Sequence, residues 1–428
     1  MKLDNLTEGK ILKYLVLFFI GLAILTTLVV LAIKSPKQLM DEMVRRGVEE
    51  LLVVEEDPKD VMRVVFNGTG TPLTAQFASQ SVAIAINDNI YVFDSGPRSN
   101  ANLVNNMTLE PGFIRGVFIT HTHSDHVGDL YQLNLASWVR GRNGPLQVYG
   151  TETVQDLVDG YNLGYVPDRM HRVAHHGADF INPEAGMMEA NIFNTDDGEV
   201  LVYKDDHIEV SAFSVPHDPV TGAVGYRITC QDRSVIISGD TALMDDYSYA
   251  NGADLLIHEG IFHQVNTRVA RIAERFGKLR MAKVFDDINH YHTNMIDYGD
   301  EPGLLSAMEG VDVGMLVLIH EGIFHQVNTR VARIAEKFGK LRMAKVFDDI
   351  NHYHTNMIDY DDEPGLLSAM EGVDVGMLVL IHIIPARDNF LVKRKLKEFI
   401  SKSPVETIVI KDNDEIHLPL NSDEIIIK

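Results

Sequence analysis

Apolar residues fall along this chain in distinct regimes. Residues 14–33 are uncharged and mostly apolar. From residue 62 onward, short apolar runs at 62–66, 81–86 and 89–93 alternate with polar and glycine-containing segments, and each run has the length of a buried strand. Gly68-Thr69-Gly70-Thr71-Pro72 predicts a tight turn between the first two. Residues 127–139, with Leu130, Leu133 and Leu135 among their apolar positions, predict a helix. Residues 145–200 mix short strands, helices and loops, and strands resume at 207–215, 223–229 and 234–238. Strand pairs interleaved with helices predict a layered α/β domain.

The stretch 14–33 has 20 residues. At about 1.5 Å per residue it reaches across a bilayer core of about 30 Å. It leads into Ala32-Ile33-Lys34-Ser35-Pro36-Lys37, which makes a poor small-x-small cleavage site. The expectation is therefore an uncleaved signal anchor: a single transmembrane helix within a membrane anchor over 1–35, a charged helical connector over 36–60, and one domain over 61–428. Lys2, Lys10 and Lys13 precede the span, and Lys34 and Lys37 follow it. That slight excess places the C-terminal domain on the periplasmic or extracytoplasmic side.

Residues 257–318 and 319–380 are near-identical segments of 62 residues, differing at Arg275 against Lys337 and Gly299 against Asp361. Two copies are too few for a solenoid, so this is a tandem duplication of one segment. Each copy predicts loop, helix, loop, helix, strand. Val265, Val269, Ile272 and Phe276 mark one helical stripe, repeated at Val327, Val331, Ile334 and Phe338.

The chain of 428 residues is 45% apolar and 23% charged, which suits a globular core, and its formal net charge is −23. Long-range repulsion of phosphate by such a charge makes nucleic acid an unlikely partner. Cys230, the single cysteine, rules out an internal disulfide and reads as a small buried residue.

The chemistry concentrates in His121-Thr122-His123-Ser124-Asp125-His126, directly after the apolar run 116–120. A strand there delivers a loop bearing three imidazoles and a carboxylate, ligand types that suit zinc and related first-row metals. Asp94-Ser95-Gly96 ends an upstream strand; His217 lies in Val215-Pro216-His217-Asp218, and Asp240 in Ser238-Gly239-Asp240-Thr241. His258-Glu259 follows Leu255-Leu256-Ile257, and His382 ends Leu378-Val379-Leu380-Ile381.

This ordered set resembles the signature of the metallo-β-lactamase-fold hydrolases, over roughly residues 62–400. The resemblance implies an αββα sandwich carrying two zinc ions per chain, here preceded by the transmembrane helix and containing the duplicated C-terminal segment. By resemblance His121, His123 and His217 hold the first zinc, Asp125, His126 and His382 the second, and Asp240 bridges them. Asp94 would orient a ligand. A metal pair about 3.5–4 Å apart activates a hydroxide and clamps an oxyanion without any serine or cysteine nucleophile. Relatives that cleave β-lactams often carry cysteine where this chain has Asp240, and iron-based relatives carry glutamate where it has His123. Both positions favour hydrolysis of another substrate.

Gly68-Thr69-Gly70, the long interval from His126 to His217, the His-Glu pair after Asp240 and a downstream Tyr-His-Thr resemble the ribonuclease Z and arylsulfatase-like branch. In that branch a glutamate and a late histidine pair near the scissile bond. The resemblance implies Glu259 with His292 in copy one, Glu321 with His354 in copy two, or a mixture, with Asp125 also at the reaction centre. Gly260 stands where the branch pattern usually has alanine. His382 is preferred over His320 as the last ligand, because its strand continues into Ile383-Ile384-Pro385-Ala386; copy two then packs on the core. His175-His176 reads as solvated loop, Met187-Met188 as packing, and His290 as a surface or helix-end residue.

These readings predict a membrane-anchored dinuclear zinc hydrolase of a small ester-like substrate: a sulfate ester, phosphodiester or lactone. The alternatives are a ribonuclease Z-like RNA phosphodiesterase and a metal-binding scaffold disrupted by the duplication.

Overall fold

A computed structural model describes residues 13, 16–22, 36–52, 58–70, 78–106, 109–261, 263–294, 302–308, 311–323, 377–384, 406–409 and 412–428. The chain divides into two units, Met1–Glu56 and Asp57–Lys428. In the first, Pro36–Leu52 is a helix, along which Arg45 pairs with Glu42 and Glu49, and Arg46 with Glu42.

The expected membrane anchor requires correction. Among the described residues no helix is long and apolar enough to cross a membrane. Of 14–33 only 16–22 are described, a helical stretch spanning about 10 Å at 1.5 Å per residue; the remainder lies outside the described residues. The transmembrane helix, the signal anchor, the membrane as a partner and the single-pass extracytoplasmic localisation fall together.

The second unit holds two eight-stranded sheets. One is built from β1 (Val61–Gly68), β2 (Ser81–Ile86), β3 (Asn89–Phe93), β4 (Ile114–Phe118), β5 (Leu146–Gly150) and β6 (Met188–Ile192). The other takes β7 (Val200–Lys204), β8 (Glu209–Ser214), β9 (Val224–Cys230), β10 (Arg233–Ile237), β11 (Ala253–Glu259), β12 (Val313–Ile323), β13 (Met377–Ile384) and β14 (Glu406–Val409). The chain then returns to the first sheet with β15 (Glu415–Pro419), which pairs β1, and β16 (Ile426–Ile427).

The continuous apolar runs arise because their strands are covered on both faces. In β2, Val82, Ile84 and Ile86 join the core shared with β9, β10 and β11, while Ala83 and Ala85 pack in a second core with Leu130, Leu133, Val154 and Val158 of the helices. Tyr91 and Phe93 against Ile90 and Val92 repeat this alternation in β3. Two sheets face to face with helices outside make the αββα sandwich.

The helix expected at 127–139 is interrupted. Ser124–Val127 and Leu130–Val139 are separate, because the Asp129 amide donates to the Ser95 carbonyl at 2.8 Å instead of continuing a helical ladder. The duplication enters the second sheet as strands: β10, β11, β12, β13 and β14 run parallel in that order. Copy one supplies the end of β11, the helices His263–Arg275 and Leu279–Ile288, and the start of β12. Phe276 leaves the predicted stripe: the helix ends at Arg275, Gly277 turns with φ +68°, and the ring is 62% exposed. It is therefore copy one, and not copy two, that the described residues pack beside β10; residues 324–376 of copy two lie outside them.

Candidate metal centre

The metal-ligand candidates are carried past the ends of β3, β4, β8 and β10. After β4, Thr120 and His121 are buried and the chain turns into the short helix bearing Asp125 and His126. Gly96 backs this loop: a side chain there would collide with the Asp125 carbonyl oxygen. Gly239, just before Asp240, sits at φ +63° with Thr120 against it, so a side chain would be strained and crowded.

Two groups of side chains converge. His121, His123, His217 and Asp240 form one, and Asp125, His126 and Asp240 the other, with ligand atoms in each within 4.8 Å of one another. Asp240 belongs to both. Its Oδ2 lies 3.4 Å from His126 Nε2 and 4.0 Å from His121 Nε2, and Asp125 Oδ2 lies 3.5 Å from His126 Nε2. His121 Nε2 and His123 Nδ1 are 2.9 Å apart. These two clusters are consistent with a dinuclear zinc site.

The donor chemistry fits the ion. Burial, then His126, hold the His121 imidazole down to about 2, so it is neutral and free to ligate. Burial likewise lowers His217 in spite of Asp240. Its Nδ1 donates to the Tyr291 carbonyl at 2.8 Å, which leaves Nε2 buried without a partner. That orphaned nitrogen is what a metal would satisfy. Burial opposes ionisation of Asp240, yet His126, His292 and His121 hold its carboxyl well below the usual range.

Behind the ligands, Asp94 occupies a left-handed conformation at φ +58°. Its Oδ1 accepts from the Thr120 amide at 2.8 Å, and its Oδ2 from Thr120 Oγ1 at 2.8 Å and His126 Nδ1 at 2.8 Å. These bonds hold the His126 ring with Nε2 toward Asp240 and Asp125.

Copy one contributes the remaining chemistry. Glu259, at the end of β11, accepts from the Thr293 amide at 2.7 Å and the Thr241 amide at 3.3 Å through Oε1. Its Oε2 is 3.3 Å from His292 Nδ1, and His292 Nε2 is 4.0 Å from Asp240 Oδ2. Burial pushes His292 down, but Glu259 and Asp240 outweigh it and raise the imidazole to about 9.

His382 lies on β13 and Glu321 on β12, where the description covers the backbone; His354 lies outside the described residues. His175 and His176 are exposed in the last turn of Val166–His176, His290 is exposed after a helix end, and Met188 and Cys230 are buried. Thr120, Thr241 and the Tyr291 carbonyl were not singled out by the sequence. Thr120 directly precedes the cluster, a weak signal, and a backbone carbonyl gives none.

Known proteins match this arrangement. The model for the beta-lactamase superfamily domain matches residues 91–320. Ribonuclease Z of Mycobacterium sp. (strain KMS) is 26% identical over 266 residues, covering 61% of this chain and 84% of the relative. Ribonuclease Z of Mycolicibacterium paratuberculosis (strain ATCC BAA-968 / K-10) is 28% identical over 271 residues, covering 61% and 86%. The crystal structure of human tRNase Z, short form, aligns at TM-score 0.37 and 22% identity, covering 51% of this chain and 88% of that one. The ribonuclease relatives correct the dismissal of nucleic acid as a partner. Net charge acts at long range and is screened beyond about 8 Å at physiological ionic strength, so it does not govern contacts at the centre. The chain belongs to the β-lactamase superfamily and is a metallo-β-lactamase-fold, metal-dependent hydrolase related to ribonuclease Z.

Proposed function

We propose that this chain is a dinuclear zinc phosphodiesterase that cleaves RNA, in the manner of the ribonuclease Z proteins it resembles. The membrane-anchored hydrolase of small esters gives way to this reading, since the anchor is gone and the relatives are ribonucleases.

The observation that carries the proposal is the Glu259–His292 pair standing at Asp240, where the two clusters meet. His121, His123 and His217 would hold one zinc, Asp125 and His126 the other, and Asp240 both. When bound, the pair of ions supplies an activated water and neutralises charge on the phosphate oxygens. Cleaving a sugar–phosphate bond expels an alkoxide, a strong base that needs a proton. His292, with Nδ1 held by Glu259, has Nε2 free to donate that proton to the leaving oxygen. Glu259 is fixed in turn by the Thr241 and Thr293 amides, so the acid is positioned by backbone and not by mobile side chains.

The test is cleavage of end-labelled RNA, transfer RNA among the substrates, by zinc-loaded wild type and His292→Ala. The proposal expects cleavage by wild type and a loss of roughly 10²–10⁴-fold in kcat in the variant, with zinc content unchanged. Wild type that holds its zinc and turns over small esters but leaves every RNA intact would overturn it.

A further inference from the structure

The duplication offers two histidines for one place. His320 and His382 occupy identical sequence contexts, Leu316-Val317-Leu318-Ile319-His320 and Leu378-Val379-Leu380-Ile381-His382. We infer that the duplication has inserted a strand into the second sheet, and that the junction histidine His320 is the remaining protein ligand of the Asp125–His126–Asp240 cluster, with His382 displaced from the metal centre. The inference rests on the dinuclear zinc reading.

Sheet order is the first argument. Asp240 follows β10, which pairs with β11 so that Ile237 lies opposite Ile257. Glu259, which reaches the centre, ends β11 opposite Ile319 of β12. His320 is thus the next residue beyond the level of Glu259, on the adjacent strand. On β13, Ile381 lies opposite Ile319, so His382 stands level with His320 but one strand farther out. At about 4.8 Å per strand, β12 lies about 10 Å from β10 and β13 about 14 Å.

The ladder itself supplies the second argument. Leu316 to Ile319 lie opposite Leu378 to Ile381, so each residue pairs with its own copy and the repeat adds a strand without disturbing the sheet's hydrogen bonds. The register then shifts: Ile319 faces Ile381, while Gly322 faces Ile383. One extra residue is therefore accommodated in β12 at His320-Glu321, and such a bulge beside an active site re-aims a side chain. β13 has no counterpart.

Ligand number is the third. The first cluster offers four protein groups and the second three, and zinc ordinarily takes four ligands. Among the described side chains no further histidine, cysteine or carboxylate completes the second cluster.

Deletion cannot separate the two histidines, because removing either copy leaves the same chain apart from positions 275/337 and 299/361. Point substitution can. Cobalt-loaded His320→Cys should show the near-ultraviolet band of a thiolate bound to cobalt, and His382→Cys should not; the native Cys230 is buried and remote in β9. His320→Ala should lose about one zinc per chain and His382→Ala none. A cobalt–thiolate band in His382→Cys, or equal zinc in the two alanine variants, overturns the inference whatever the fate of His320→Cys. Wild type devoid of zinc would instead overturn the dinuclear reading beneath it.

Discussion

Asp94 offers a sharp test of how the centre is held. Its carboxylate is buried and accepts from the Thr120 amide, the Thr120 hydroxyl and His126 Nδ1, each at 2.8 Å. Asp94→Ala strands at least two buried donors at about 1–3 kcal/mol each, and puts alanine at φ +58°, which adds about 1–2 kcal/mol. The total of about 3–8 kcal/mol is comparable with a whole domain's stability of about 5–15 kcal/mol, so that variant reports mainly on folding. Asp94→Asn is more informative. Asparagine tolerates the left-handed backbone and can still accept from the Thr120 amide. Its amide group, however, faces His126 Nδ1 with a donor. The imidazole proton then moves to Nε2, the nitrogen 3.4 Å from Asp240 and 3.5 Å from Asp125. A protonated Nε2 cannot ligate. Zinc affinity of the second cluster should fall by about 10–100-fold, the usual effect of losing a group that orients a ligating histidine. Competition against a chromophoric chelator reads this, and a thermal melt run in parallel should show a folded protein. Asp94→Asn binding both zincs with wild-type affinity would refute the reasoning.

Further predictions follow from other parts of the fold. Burial opposes ionisation of Glu415, but His417, Asn106 and Arg63 hold its carboxyl down to about 2 from 4.5. A depressed carboxyl stabilises the fold above its unfolded pKa and ceases to as pH falls, so about 3 kcal/mol should be lost between about pH 4.5 and 2; denaturant titrations should show this slope flattened in Glu415→Gln. Phe118 is stacked 4.9 Å from Phe93 and 4.8 Å from Tyr149, with Tyr226 and Tyr203 edge-on, so Phe118→Ala should cost about 3–5 kcal/mol in urea unfolding. Chelating the metal should lower the melting temperature, and zinc at 100 times its Kd should restore about 2.7 kcal/mol. Removing residues 319–380 should leave a folded protein with both zincs, since the strand context beside β11 is regenerated; loss of metal in a folded deletion variant would show that the repeat has become part of the centre.

Much of the site was legible in the sequence because its ligands sit at strand ends. His121, His123, Asp125 and His126 are consecutive with β4, and Asp240 follows β10 at a glycine whose positive φ directs the chain inward. The αββα layers were legible because strands buried on both faces read as continuous apolar runs. Two things were not. An uncharged run of membrane-spanning length says nothing about whether the chain forms one long helix there. And two identical copies carry identical propensities, so the choice of copy one rests on sheet order, which no residue in either copy encodes. The tail after His382 argued for copy two; the parallel pairing of β11 with β12 places copy one at the centre.

Zinc per chain, measured by elemental mass spectrometry on the wild type and on Asp240→Ala, tests the central claim most directly, because Asp240 belongs to both clusters. The account predicts two zincs in the wild type and one or none in the folded variant. One zinc or none in the wild type, or two retained in Asp240→Ala, would contradict it.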